Sequence, residues 1–291
     1  MLEERAMLVK VTVHTWLGIV TDREVSEEVA RNKGASPDLV RVKKSLLGKA
    51  LKEILKVISE LRQYVRQNTL PWYDGNWRIL PAAKYFEFVQ NVGRLKADFE
   101  RAVLKFASIY PHLINEAQEL LGKLYRDEDF PAPSLIPKLF KIEVDFSPIP
   151  RGNDFRLEIL SEAQEEIKQK VEERYKEAFG RIKEHMALRI IELCERIERC
   201  LIGKKVIITQ ALMRDLKEMP KLFDSLNIID DPDIKIAAEK IHKLADYDVL
   251  TVRKSPLIQG LFLSTVRSLK NLLSQFPKDS NQKQNFFQVT C

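Results

Sequence analysis

The hydrophobic positions of this chain follow two periods. Residues 8–17 (LVKVTVHTWL) alternate apolar and polar side chains and are rich in β-branched residues, the pattern of a strand with one buried face. Residues 139–146 (LFKIEVDF) alternate likewise, and beyond the turn-rich SPIPRGND stretch residues 155–160 (FRLEIL) are placed to pair back as a hairpin. Together these segments predict a small antiparallel sheet of about three strands.

Elsewhere the period is that of a helix. A short helix over 25–33 is expected to end at Gly34, and Ser36 then reads as an N-cap with Pro37 at the first helical position. From there Leu39, Val42, Leu46, Leu47, Leu51, Ile54, Ile58, Leu61 and Val65 recur at intervals of three and four, predicting one helix over 36–68. An aromatic loop over 69–80 leads to Pro81, read as the start of a second helix carrying Tyr85, Phe86, Val89, Val92, Phe99, Val103 and Phe106. Pro111 is expected to break that helix before a shorter continuation.

The longest helical stretch, 162–202, opens with the capping-box pair Ser161 and Gln164 and closes at Gly203. About forty residues at 1.5 Å each make it about 60 Å long. Further helices are predicted at 207–219, 232–246 and 256–276, separated by Pro220, the Asp230-Asp231-Pro232-Asp233 turn and Ser255-Pro256. The expected fold is mainly α with a small antiparallel β-sheet (α+β), its long amphipathic helices forming an elongated helical hairpin or coiled-coil-like bundle. Residues 1–203 are assigned to a long-helix domain containing the sheet, 204–276 to a C-terminal helical region packed on it, and 277–291 to a polar, disordered tail.

Composition narrows the setting. Three cysteines among 291 residues, Cys194, Cys200 and Cys291, form no Cys-x-x-Cys pair, and the N-terminal Met-Leu-Glu-Glu-Arg lacks the pattern of a secretory signal. A cytoplasmic protein without a membrane partner is expected. The net charge of +6 is concentrated: between Arg41 and Arg66 eight Lys and Arg oppose only Glu53 and Glu60. Residues 249–278 hold Arg253, Lys254, Arg267, Lys270 and Lys278 and no acid.

Phosphate-binding and dinucleotide-binding glycine motifs are absent, and the four histidines show no metal-ligand spacing, so no cofactor, metal or catalytic residue is assigned. Asp230, Asp231 and Asp233 have oxygen donors at cation-binding spacing, but Asp231 before Pro232 reads more simply as a helix cap. Two surfaces remain as binding candidates. Arg41, Lys44, Lys52, Lys56 and Arg66, with Trp72, Trp77 and Arg78, could track a phosphate backbone and stack on bases, or meet a protein partner; the aromatic residues read equally as a plug at the end of a helical hairpin. Leu257, Leu261, Arg267 and Lys270 combine an apolar stripe with positive charge, the pattern of a partner-docking helix.

The run Thr69-Leu-Pro-Trp72, the run Arg78-Ile-Leu-Pro-Ala82 leading into Tyr85-Phe86-Glu87, and Gly152 to Phe155 together resemble an uncharacterised family of phage and bacterial proteins known only as a domain of unknown function. The resemblance covers roughly residues 5 to 230 and implies no catalytic residue. It implies a setting, because members tend to be encoded near MoxR-like AAA+ ATPases and von Willebrand A-type proteins. The expected function is that of a non-enzymatic helical adaptor binding protein partners, an AAA+ ATPase among them, as a homo-oligomer or within a hetero-complex. The alternative is a nucleic-acid-binding accessory protein using the basic segment 41–66 in phage DNA metabolism or counter-defence.

Overall fold

The computed structural model describes residues 2–150, 161–202 and 206–274. The strand expected at 155–160, the stop at Gly203 and the tail at 277–291 lie outside the described residues. In chain order the elements are α1 (Leu2–Arg5), β1 (Ala6–His14), β2 (Ile19–Asp22), α2 (Arg23–Lys33), β3 (Val42–Ser45), α3 (Lys52–Asn68), β4 (Leu70–Pro71), β5 (Arg78–Pro81), α4 (Tyr85–Leu121), β6 (Lys141–Ser147), α5 (Ser161–Leu201), α6 (Gln210–Leu226), α7 (Pro232–Ala245), α8 (Val249–Lys254) and α9 (Pro256–Leu273). The protein is mainly α with a small antiparallel sheet, as its two hydrophobic periods require. Among the described residues no helix is long and apolar enough to cross a membrane.

The alternating segments at 8–17 and 139–146 become β1 and β6, neighbours in a four-stranded sheet ordered β4-β5-β1-β6. Its other two strands come from the stretch read as an aromatic loop. β5 runs antiparallel to β1 with Ala6 opposite Pro81 and Val9 opposite Arg78, and β4 adds outside it with Leu70 opposite Ile79. Pro71, which has no N–H to donate, sits on this edge strand, where a sheet tolerates it. Pro81 therefore ends a strand, and α4 begins only at Tyr85 after a 3-10 turn, Ala82–Lys84.

Contacts divide the chain into two units interleaved in sequence, whereas the sequence reading sets a single boundary at residue 203. The first unit gathers residues 2–10, 66–88, 144–150, 161–202 and 206–274; the second gathers 11–65 and 89–143.

In the first unit α5 is one continuous helix of 41 residues, as expected for the stretch 162–202. Ala178, Ile182, Met186, Ile190, Leu193, Ile197 and Leu201 recur every three or four positions and are buried, and α6, α7 and α9 pack against them. α6 runs through Pro220 where a stop was expected. Pro220 falls on the buried stripe with Leu212, Leu216 and Phe223, so its ring fills core space and offsets the backbone bond it forfeits. Polar contacts add to this packing. Lys270 of α9 pairs with Glu198 of α5 at 2.5 Å, and the Arg253 guanidinium of α8 donates twice to the carbonyl of Ile208, at 2.9 and 2.5 Å.

The second unit corrects the largest helical expectation. Residues 36–68 are not one helix: Pro37–Leu39 is a 3-10 turn, Val42–Ser45 is β3, and only Lys52–Asn68 is helical. β3 pairs antiparallel with β2, with Thr21 opposite Lys43 and Asp22 opposite Val42. Gly48, at φ 55°, occupies the left-handed region and separates strand from helix. Val42 and Lys44 satisfy a period of two as readily as a period of 3.6, and Leu39, placed on the supposed apolar stripe, is 84% exposed. α2 forms as expected, with the Asp22 carboxylate accepting from the Val25 N–H and Gly34 ending it at φ 64°. α4 continues through Pro111, which is exposed, so the carbonyl that its missing N–H frees can be met by solvent. Phe99, Phe106, Tyr110 and Phe140 form the aromatic centre of this unit.

Lys44, expected on the solvent face of a basic helix, is buried on β3. Its ammonium lies 3.2 Å from Asp22 and 2.7 Å from Asp129 and donates to the carbonyl of Leu124 at 2.7 Å. Burial opposes the charge, but the bonds to Asp129 and Asp22 outweigh it and hold the ammonium above its usual range. Replacing Lys44 with Met would strand a buried carboxylate, Asp22, and a half-buried one, Asp129. Lys44→Met is predicted to lower stability by about 3–5 kcal/mol, read from the urea midpoint, whereas Lys56→Met on the exposed face of α3 should change it by less than about 0.5 kcal/mol.

Candidate functional site

Of the cations expected to form one basic face, the second unit holds Arg41, Lys44, Lys52 and Lys56. Arg41 is exposed before β3 and donates to the carbonyls of Pro37 and Val40 at 3.3 Å, Lys52 and Lys56 lie exposed on α3, Lys56 is 3.9 Å from Glu60, and Lys44 is internal. A single helical face bearing these cations does not exist, because Arg41 and Lys44 precede the helix.

Arg66, Trp72, Trp77 and Arg78 belong to the first unit, where their roles are largely architectural. Trp72 is only 4% exposed, packed on Tyr73 with ring centroids 5.1 Å apart and edge-on to Tyr175 of α5 at 6.1 Å, inside the first unit and not at the end of a helical hairpin. A base cannot stack on it. Trp77 is half-buried, with the Lys10 ammonium 6.0 Å from its ring centre. Arg78 donates to the hydroxyl of Thr69 at 2.6 Å and to its carbonyl at 3.1 Å. Arg189 of α5 donates to the last carbonyls of α3, to Gln67 at 3.0 Å and also to Arg66, so a cation completes the negative end of that helix. Burial, then the neighbouring guanidiniums of Arg189 and Arg66, push Arg78 down to about 9.

The acidic turn resolves as a cap. Asp231 precedes α7 and accepts from the N–H groups of Asp233 and Ile234, while Lys183 pairs with it at 2.6 Å and Arg5 pairs with Asp230 at 2.5 Å. These groups line a cavity of about 390 Å³ with Leu2, Phe179 and Ile228, and each of the two carboxylates facing it already has a cation.

The C-terminal helices differ in this respect. Asp248 caps α8 through the N–H groups of Leu250 and Thr251, and Ser255 caps α9, with Pro256 at its first position. α9 buries Phe262, Val266, Leu269 and Leu273, one face of the helix. Leu257 and Leu261, one turn apart, are left 81% and 41% exposed. Arg267 is exposed as well, whereas Lys270 is engaged with Glu198 and serves the core rather than a partner. Beside Leu261 lies a groove of about 550 Å³, lined on the α7 side by Lys240, Lys243, Asp246 and Tyr247 and on the α9 side by Ser264, Thr265 and Ser268.

Sequence reasoning missed this groove. Its signal is faint: lysines three apart on one helix and hydroxyl residues at 264, 265 and 268 on another become a site only when α7 and α9 pack side by side. No family model, curated protein or solved structure matches the chain.

His185 of α5 is 8% exposed, and its Nδ1 has no hydrogen-bond partner among the described residues. Burial, then the charges of Arg189, Arg78 and Arg66, hold the imidazole well below its usual 6.5. The unfolded chain therefore binds a proton near pH 6.5 that the folded chain refuses, so this contribution to stability is complete above that pH and is lost as pH falls below it. Urea midpoints at pH 7, 6 and 5 should fall progressively for the wild-type chain, by up to about 1.4 kcal/mol per pH unit, and more shallowly for His185→Leu.

Proposed function

We propose that the chain is a non-enzymatic helical adaptor that binds a protein partner through the exposed face of α9. One observation carries the reading: Leu257 and Leu261 remain uncovered on a helix whose opposite face is buried, within a stretch, residues 249–273, that contains no carboxylate. Water gains by the covering of two such side chains, roughly 1.5–3 kcal/mol for each one fully buried, and the surrounding cations favour a partner with acidic residues at its rim. Docking of an apolar helical edge with charged flanks is a recurrent mode of protein recognition. The setting we infer is an assembly of phage or mobile-element origin containing an AAA+ ATPase, supported by the resemblance carried by the runs at 69–72 and 78–87.

The nucleic-acid alternative has less to support it: of its cations Lys44 is internal, Trp72 is buried, and the segment 41–66 is part strand and part helix.

Affinity purification of the tagged chain from its native host tests the adaptor reading. A protein should co-purify with the wild-type chain and fall at least about tenfold for the double variant Leu257→Asp, Leu261→Asp, a loss of about 1.4 kcal/mol or more. Both positions are exposed, so the variant should keep the wild-type Tm to within a degree or two. Equal recovery of the partner by wild type and variant, or retention on DNA at low salt in place of a protein partner, would sink the proposal.

A further inference from the structure

The groove between α7 and α9 holds a lysine whose described partner is a hydroxyl and not a carboxylate. Half-buried lysines of the first unit meet partners of two kinds: Lys84 has the neutral Asn68 amide oxygen at 3.1 Å, whereas Lys183 has Asp231 at 2.6 Å and Lys270 has Glu198 at 2.5 Å. Lys240 is half-buried too, and its ammonium is held by a neutral group, the Ser268 hydroxyl, at 2.6 Å. Among the described residues no carboxylate lies within ion-pair distance of Lys240 or of Lys243, one turn further along the same helix. Among the described residues Asp246 is the sole acid lining the groove, and α9 supplies none.

The hydrogen-bonding inventory points the same way. Lys240 spends one of three N–H donors on Ser268, and because that hydroxyl accepts the bond, its own proton remains to be given. Thr265 offers a second hydroxyl from the next turn, while Ser264 donates to the Leu261 carbonyl and is already committed. Lys240, Lys243, Thr265 and Ser268 thus line one groove of about 550 Å³ together with Asp246, with Tyr247 and Leu261 as apolar walls. That volume falls within the range of sites that hold a small ligand, and it exceeds what a bare phosphate fills. Fixed cations beside neutral hydroxyl donors make the strong, short bonds that oxyanions accept.

We propose that this groove is an oxyanion-binding site that takes a carboxylate or phosphate-ester side chain of a protein partner. The proposal rests on the adaptor reading and deepens it: Leu261 contributes to both the groove and the exposed leucine pair, so an acidic side chain would seat beside the apolar contact.

The test is a titration of the full ¹⁵N-labelled chain with N-acetyl-phosphoserine and, separately, N-acetyl-glutamate, at ionic strength held constant with sodium chloride. Saturable amide shifts confined to residues 240–247 and 261–268 are expected with at least one of the two. Saturation by phosphoserine alone assigns a phosphorylated partner, and saturation by both assigns any acidic side chain. The double variant Lys240→Gln, Lys243→Gln should weaken binding about tenfold or more without altering the spectrum elsewhere, the loss of a charge-assisted contact being of that order. Ser268→Ala should weaken it less. No saturation with either compound, shifts spread over the whole surface, or affinity unchanged in the double lysine variant would overturn the site. Partner capture that still depends on Leu257 and Leu261 in that event would show that the adaptor reading survives without it.

Discussion

The first unit depends on the covering of one face of α5. A helix of 41 residues cannot hold its length in water on backbone bonds alone, because helical stability in proteins comes chiefly from packing an apolar side. From Ala178 to Leu201 that side is buried without interruption at its periodic positions, and Ile182, Met186 and Ile190 have no exposure at all. Each fully buried aliphatic side chain contributes roughly 1.5–3 kcal/mol, so the stripe outweighs any single ion pair in the unit. α6, α7 and α9 are where they are because they must cover it. The polar features follow from that arrangement: Lys270 reaches Glu198, Lys183 reaches Asp231, and the α7–α9 groove is the seam left between two of the covering helices.

Segments with one consistent signal were legible in the residues. β1 and β6 alternate, α2 ends on Gly34, α5 repeats its stripe from Ala178 to Leu201, and α7 opens on an Asp-Pro cap; all five appear within a few residues of where the pattern places them. Ambiguity arose where two periods fit the same letters. Val42 and Lys44 serve a strand or a helix, and the choice was made by pairing with β2 and by two acids, Asp22 and Asp129, far apart in sequence. Proline was over-read. Pro111 and Pro220 each cost a helix one hydrogen bond, yet solvent access at one and core packing at the other compensate, and neither condition is visible in a linear string.

The candidate site shows the same limit. That Leu257 and Leu261 are apolar and lie one turn apart is plain from the sequence, but that they face outward while Phe262 and Val266 face inward depends on which neighbours α9 meets. Exposure is a property of the assembled unit. Likewise Lys44 and Lys240 are indistinguishable as letters, and only the fold gives one two carboxylates and the other a hydroxyl. Charge counting located the basic stretches correctly and misjudged which of their members face solvent.

The double hydrogen bond from Arg253 to the Ile208 carbonyl has a consequence for the order in which the chain is made. Residues 206–209 carry no regular structure, and their exit from the α5 region is secured by a side chain that follows them by 45 positions. During vectorial synthesis α5 and α6 emerge first, so the Ile208 carbonyl lacks this partner until α8 has cleared the ribosome exit. Translation rate and chaperone occupancy over that window, rather than the intrinsic speed of helix formation, then govern how soon the first unit closes.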